Sequence, residues 1–303
     1  MRLLSQPLIR FIFFGNYFYG VCAIALAFEA GMQQQIPLNH WSFYLLLFSA
    51  TVWYYTHSYQ HSNPEDISNK RIVWYFANKK LMGSLQWLHL VLAIGSLIIL
   101  SNRMGGLISI QPLPLFMLFI FPLVAALYYG ADQNASKKFN LRQLGRLKPL
   151  IIGFSWAGPV TVYPVIFSCL ESHVPYGFTL VGSLLFLKNF MFIAMLSIMF
   201  DIKDYAHDHQ QSLGTFVARA GLRKTIFTIL VPLSFLGLGT FVIYGITREF
   251  SVMKIALNTM PFLLLMLVAW SLAKRRHILY YLIVVDGLMV VKAICGTIAM
   301  MYL

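Results

Sequence analysis

The 303-residue sequence is 59% hydrophobic and only 11% charged, with a mean hydropathy of +0.71. A soluble domain carries roughly 25% charged residues to solvate its surface, so this composition excludes a soluble globular chain and calls for lipid as the outer solvent. The net charge of +13 is spread over many short segments, which argues against a nucleic-acid groove and for contact with anionic lipid headgroups.

A helix needs about 20 apolar residues to cross the hydrocarbon core. Taken in chain order, nine runs meet that length: roughly 8–29, 37–58, 82–100, 113–130, 149–170, 176–200, 225–246, 253–273 and 277–302. The first follows Arg2 and Arg10 and carries bulky aromatics such as Phe13, Phe14 and Tyr17. Its length and ring content read as a retained span rather than a cleaved signal. Pro122 and Pro261 fall inside the fourth and eighth runs, where a kink without a break is expected. The reading is an all-α integral membrane bundle of about nine transmembrane helices, residues 1–303 forming a single polytopic domain.

The loops carry an independent signal. Basic residues collect at the N-terminus (Arg2, Arg10) and in alternate loops around Lys70–Lys80, Lys137–Lys148, Lys203–Lys224 and Lys274–Arg276. Eighteen Lys and Arg fall on that side against three (Arg103, Arg248, Lys254) on the other. By the positive-inside rule the N-terminus and the basic loops are cytoplasmic. Cys22, Cys169 and Cys295 lie in apolar runs without C-x-x-C spacing and read as small buried hydrophobes.

Only ten acidic residues serve the chain, and three stand together in FDIKDYAHDHQQSLGTFVARAGLRKT: Asp201, Asp204 and Asp208. If the sixth helix continues through them, the i, i+3, i+7 spacing puts them in a sector about 60° wide. Like charges so placed repel unless a cation sits between them. Mg²⁺ suits such a set, because it takes hard oxygen ligands, keeps waters and shares phosphate oxygens.

The segment Asp201–Arg223 resembles the second aspartate motif of the UbiA-type membrane prenyltransferases, D-x-x-D-x-x-x-D followed by a basic run after a glycine. The stretch LGRLKPLIIGFSWAGPVTVYP at the fifth span is also similar to the family, with Lys148 at a position where members carry a basic residue. The resemblance is chain-long in architecture and specific in sequence over about 143–164 and 190–224. It implies a multi-pass enzyme of the cell (inner) membrane with a cytoplasmic active face. It further implies an Mg²⁺ cofactor, a prenyl diphosphate substrate and a hydrophobic acceptor, with transfer proceeding through an allylic cation. Asp201, Asp204 and Asp208 would be the catalytic metal ligands, and Lys148 a diphosphate contact.

The family's first motif, N-x-x-x-D-x-x-x-D, is degenerate here. The end of the second span reads WYYTHSYQHSNPEDISNKR, with no aspartate in register. Three substitutes are present: Glu65 and Asp66 as further metal ligands, His57 and His61 as phosphate contacts, and Arg71 with Lys148 as positive charge. His57 and His61 also have the i, i+4 spacing of a zinc pair, but no H-E-x-x-H base accompanies them. Within the spans, Asn16, Lys188, Asn189, Asp286 and Lys292 are polar, and intramembrane charges are paired or functional. Lys188 with Asp286 is one expected pair. Two other functions suit the same sequence: a lipid or ion carrier using those charges, and a non-catalytic member that binds prenyl lipid or assists assembly.

Overall fold

The computed structural model describes residues 7–60, 70–105, 110–129, 147–210, 221–274 and 276–302. Among these residues every regular element is helical. That follows from the solvent: in lipid a backbone must satisfy its own N–H and C=O groups, and a helix does so within one segment.

In chain order the helices are α1 (Pro7–Phe14), α2 (Tyr17–Gln33), α3 (Trp41–Gln60), α4 (Lys70–Ala77), α5 (Lys79–Arg103) and α6 (Pro112–Tyr129). α7 (Lys148–Ala157) passes through a π-helical turn at Gly158–Val162 into α8 (Tyr163–Glu171), and α9 (Leu180–Gln210) is the longest helix. α10 (Leu222–Thr225) leads through a π turn at Ile226–Leu230 into α11 (Val231–Thr247). α12 (Val252–Ser271), α13 (Ile278–Tyr280), a π turn at Tyr281–Val285 and α14 (Gly287–Tyr302) complete the chain.

Each of the nine apolar runs coincides with a helix or with a helical pair. Six stretches are long and apolar enough to cross a membrane: Lys79–Arg103, Lys148–Glu171, Leu180–Ile202, Phe227–Thr247, Val252–Ser271 and Ile278–Tyr302. The first run is a bent pair, α1 and α2 meeting at 57°, and would make a seventh. α6 is apolar but shorter. α3 has the length, yet its last eight residues are WYYTHSYQ, whose polar atoms dilute its apolar character. The helices α6 and α12 continue through Pro122 and Pro261. All three cysteines are free thiols.

The chain divides into two compact units, Met1–Ala25 with Leu38–Gln111 and Phe167–Pro175, and Leu26–Pro37 with Pro112–Ile166 and Tyr176–Leu303. In the first unit α3 packs along α5. The His89 ring lies beside Tyr17 and Phe48, with centroids at 5.4 and 5.8 Å, and its Nε2 is 3.3 Å from the Tyr17 hydroxyl. In the second unit α9 is central, packing on α7 and α11, while α12 packs on α14. Gly153 makes the close approach of α7 and α9 possible, because a Cβ there would lie 2.8 Å from the carbonyl of Phe190. Aromatic rings from Phe121, Phe154 and Phe186 fill the space beside that seam, with neighbouring centroids 4.9–6.0 Å apart.

Candidate functional site

Within the second unit, helix α9 runs unbroken to Gln210. The condition for the acidic motif to share a face is therefore met by the backbone at 201, 204 and 208. Asp201 is fully buried, and its Oδ1 accepts from Nζ of Lys148, at the first residue of α7. The family resemblance implies a diphosphate contact for Lys148; the structure joins it to Asp201. Breaking such a pair is costly because the surviving buried charge loses its partner. The Lys148 side chain keeps about a fifth of its surface exposed (21%, against 0% for Asp201). The side chains of Asp204 and Asp208, and residues His61, Glu65 and Asp66, lie outside the described residues.

In the first unit His57 is exposed. It stacks on Trp53 at 5.5 Å, and its Nδ1 lies 3.1 Å from Nε2 of Gln86. Arg71 is 5% exposed and has a duty that sequence reading does not assign. Its guanidinium donates to the carbonyls of Phe13 (3.1 Å) and Phe14 (3.2 and 3.1 Å), to Oδ1 of Asn16 and to the Tyr59 hydroxyl (3.0 Å). It also sits 4.1 Å from the centroid of the Tyr59 ring, a cation–π contact.

The reason lies in the break between α1 and α2. A helix end leaves its last carbonyls without intrahelical partners and with partial negative charge. Asn16 takes a left-handed φ of 67° at the break, a conformation Asn tolerates better than most residues. Its Nδ2 donates to the hydroxyls of Tyr75 (2.8 Å) and Thr56 (3.3 Å). Burial pushes the Tyr75 hydroxyl up to about 12, partly opposed by the nearby Arg71 charge. For Arg71, burial works against the charge, while the phenols of Tyr59, Tyr19 and Tyr75 outweigh it and hold the guanidinium above its ordinary range.

A second buried polar assembly lies in the second unit, and the sequence shows only part of it. Glu29 and Gln33 from α2, Lys188 from α9, Asn258 from α12 and Lys292 from α14 are each no more than 3% exposed. Lys292 Nζ donates to Oε2 of Glu29 at 2.5 Å, and Lys188 Nζ lies 3.4 Å from Oε1. Lys188 also donates to Oε1 of Gln33 at 2.9 Å. Gln33 Nε2 then donates to Glu29 (2.9 Å) and to Oδ1 of Asn258 (2.8 Å). Lys188 thus pairs with Glu29. Glu29 escapes the sequence reading because the first apolar run ends at that residue, whereas α2 continues one turn to Gln33. The available signal is E-x-x-x-Q, an i, i+4 pair that helix geometry brings together.

No family model matches this chain, and neither a curated protein nor a solved structure matches it. Among the described residues no group of three His, Cys, Asp or Glu side chains is arranged to hold a metal ion.

Proposed function

We propose that this chain is a Mg²⁺-dependent membrane prenyltransferase related to the UbiA type. It moves an isoprenoid from an allylic diphosphate to an aromatic or lipid-like acceptor. In this reading the chain crosses the cell (inner) membrane nine times, with its N-terminus and its site on the cytoplasmic side. The observation that carries it is the contact between Lys148 and Asp201: the fifth-span basic residue and the first residue of the D-x-x-D-x-x-x-D motif meet in one place.

Asp201, Asp204 and Asp208 would hold the ion. Bound there, Mg²⁺ supplies Lewis-acid neutralisation of the leaving diphosphate as charge develops on it. The chain's own residues do the rest. Lys148 fixes the orientation of the Asp201 carboxylate and keeps an ammonium edge open to a phosphate oxygen. The apolar spans exclude water from an allylic cation and give the isoprenoid tail an apolar bed. His57, His61, Glu65 and Asp66 stay the sequence's candidates for further phosphate and metal contacts, and His57 is exposed. Arg71 contributes by position, holding the α1–α2 break to Tyr59.

The test is binding of geranyl or longer diphosphates to the purified protein with and without Mg²⁺. Binding is expected to need the ion and to be lost in Asp201→Asn and Asp208→Asn. Equal binding by both variants and the parent chain removes the proposal.

A further inference from the structure

Within the first unit, helix α4 has two opposite faces. Arg71, Ile72 and Tyr75 fall in one sector of its circumference and are 5%, 7% and 2% exposed. Val73, Phe76 and Ala77 fall in the other, where Val73 and Phe76 are 47% and 37% exposed. The end of α1 covers part of the inner side: Arg71 donates to the carbonyls of Phe13 and Phe14, and the Trp74 ring meets Phe14 edge-on at 5.9 Å. The outer face is apolar. With eight residues the helix is about 12 Å long, too short to cross a membrane.

The next helix gives the depth at which that face lies. From Lys79 to Arg103, α5 rises about 36 Å, somewhat more than the roughly 30 Å hydrocarbon core. Its exposed middle is apolar, with Trp87, Val91, Ile94 and Ile98 50–69% exposed. A helix of that length and girdle puts Lys79 and Lys80 in one headgroup layer and Arg103 in the other. The single non-helical residue Asn78 joins α4 to Lys79, so α4 starts from the same layer. The neighbouring helix agrees: α3 turns polar at this end, where His57 is exposed and its Nδ1 lies 3.1 Å from Nε2 of Gln86.

Lys79, Lys80 and Leu81 are exposed and follow Phe76 closely in the chain. An apolar face flanked by lysines suits neither water alone nor hydrocarbon alone. At the boundary both parts are satisfied, with apolar side chains against acyl carbon and ammonium groups among phosphates. A pair of ammonium groups favours an anionic headgroup over a zwitterionic one.

We infer that α4 and the start of α5 form a binding site for an anionic phospholipid. Lys79 and Lys80 meet the headgroup phosphate, and Val73, Phe76 and Leu81 rest against the acyl chains. This site stands independently of prenyl transfer.

The experiment is native mass spectrometry of the full chain released from detergent with equimolar phosphatidylglycerol and phosphatidylcholine. The parent chain is expected to retain phosphatidylglycerol preferentially, since each lysine beside an anionic headgroup is worth roughly fivefold. Lys79→Gln combined with Lys80→Gln is expected to lower that preference about tenfold. Lys137→Gln combined with Lys138→Gln removes the same charge from another basic segment and is expected to lower it less than about twofold. Val73→Ser combined with Phe76→Ser is expected to keep the preference and to reduce the total lipid retained. A parent chain without preference overturns the proposal. Equal losses in the two lysine variants also overturn it, because they trace the preference to diffuse charge. Unchanged retention in the serine variant overturns it too, by showing that the outer face of α4 does not hold lipid.

Discussion

Arg71 closes the break between α1 and α2 by donating to the carbonyl of Phe14, through Nε at 3.2 Å and through a terminal nitrogen at 3.1 Å. One planar fork thereby satisfies carbonyls that the end of α1 leaves open, and the same fork reaches Tyr59 on α3. A lysine supplies charge but not this geometry. Arg71→Ala is expected to destabilise the protein by about 2–4 kcal/mol, since buried acceptors and an aromatic contact are lost together. Arg71→Lys is expected to recover less than half of that. Thermal unfolding in detergent, followed by helical circular dichroism, checks both. A Lys variant as stable as the parent chain would count against the fork geometry.

The helices were legible in the sequence because lipid imposes a length and an apolarity that any reader can count. α3 shows the limit: Trp53, Tyr54 and Tyr55 are hydrophobic by ring area yet polar at their tips, so two reasonable measures of apolarity disagree about its span. Lys148 and Asp201 were each legible as charges of consequence, whereas their pairing depends on the antiparallel register of α7 and α9, which no local pattern encodes. Glu29 was hidden by a boundary one turn too early. Arg71 was legible as a cation, but its carbonyl partners exist only because the chain turns at Asn16; Gly15 and Asn16 suit a helix end, yet no local pattern sets a 57° bend.

The Tyr75 hydroxyl gives a pH dependence with a definite sign. An unfolded tyrosine ionises near pH 10, whereas burial raises Tyr75 to about 12. The folded state therefore holds more protons than the unfolded state between those values, so stability contributed by Tyr75 is present below pH 10 and is lost as pH rises toward 12. The melting temperature of the parent chain is expected to fall across that window. Tyr75→Phe is expected to start lower, having lost the bond from Asn16, and to decline less steeply. Parallel slopes in the two proteins would show that Tyr75 does not set the dependence.

Gly296 adjoins the carboxylate of Glu29 so closely that an added Cβ would collide with Oε1 and Cγ. The carboxylate cannot retreat freely, because Lys292 and Gln33 hold it at 2.5 and 2.9 Å. Gly296→Ala therefore disturbs an ion cluster as well as a helix surface, despite the better helix propensity of alanine. The expected cost is about 1–3 kcal/mol, against a gain of roughly 0.5–1 kcal/mol at an open helical glycine. Gly95 on α5, with nothing within 4 Å of its added Cβ, is the matched control: Gly95→Ala is expected to be neutral or stabilising. A common thermal shift in the two variants would mean that Glu29 moves aside without penalty.

Lys148 and Asp201 differ in exposure, and the difference predicts an asymmetry between their single variants. Lys148→Met removes the ion-pair partner of a fully buried carboxylate, whereas Asp201→Asn leaves the cation on a side chain that is 21% exposed. The first is expected to cost about 3–5 kcal/mol and the second distinctly less, because a buried charge that loses its ion pair costs more than a partly exposed one. Combining them removes both charges, so the double variant should be more stable than Lys148→Met alone. Thermal unfolding of the four proteins forms a double-mutant cycle whose coupling energy measures the pair directly. A coupling near zero would show that Asp201 is held by other partners, and the role of Lys148 at the site would then rest on phosphate contact alone.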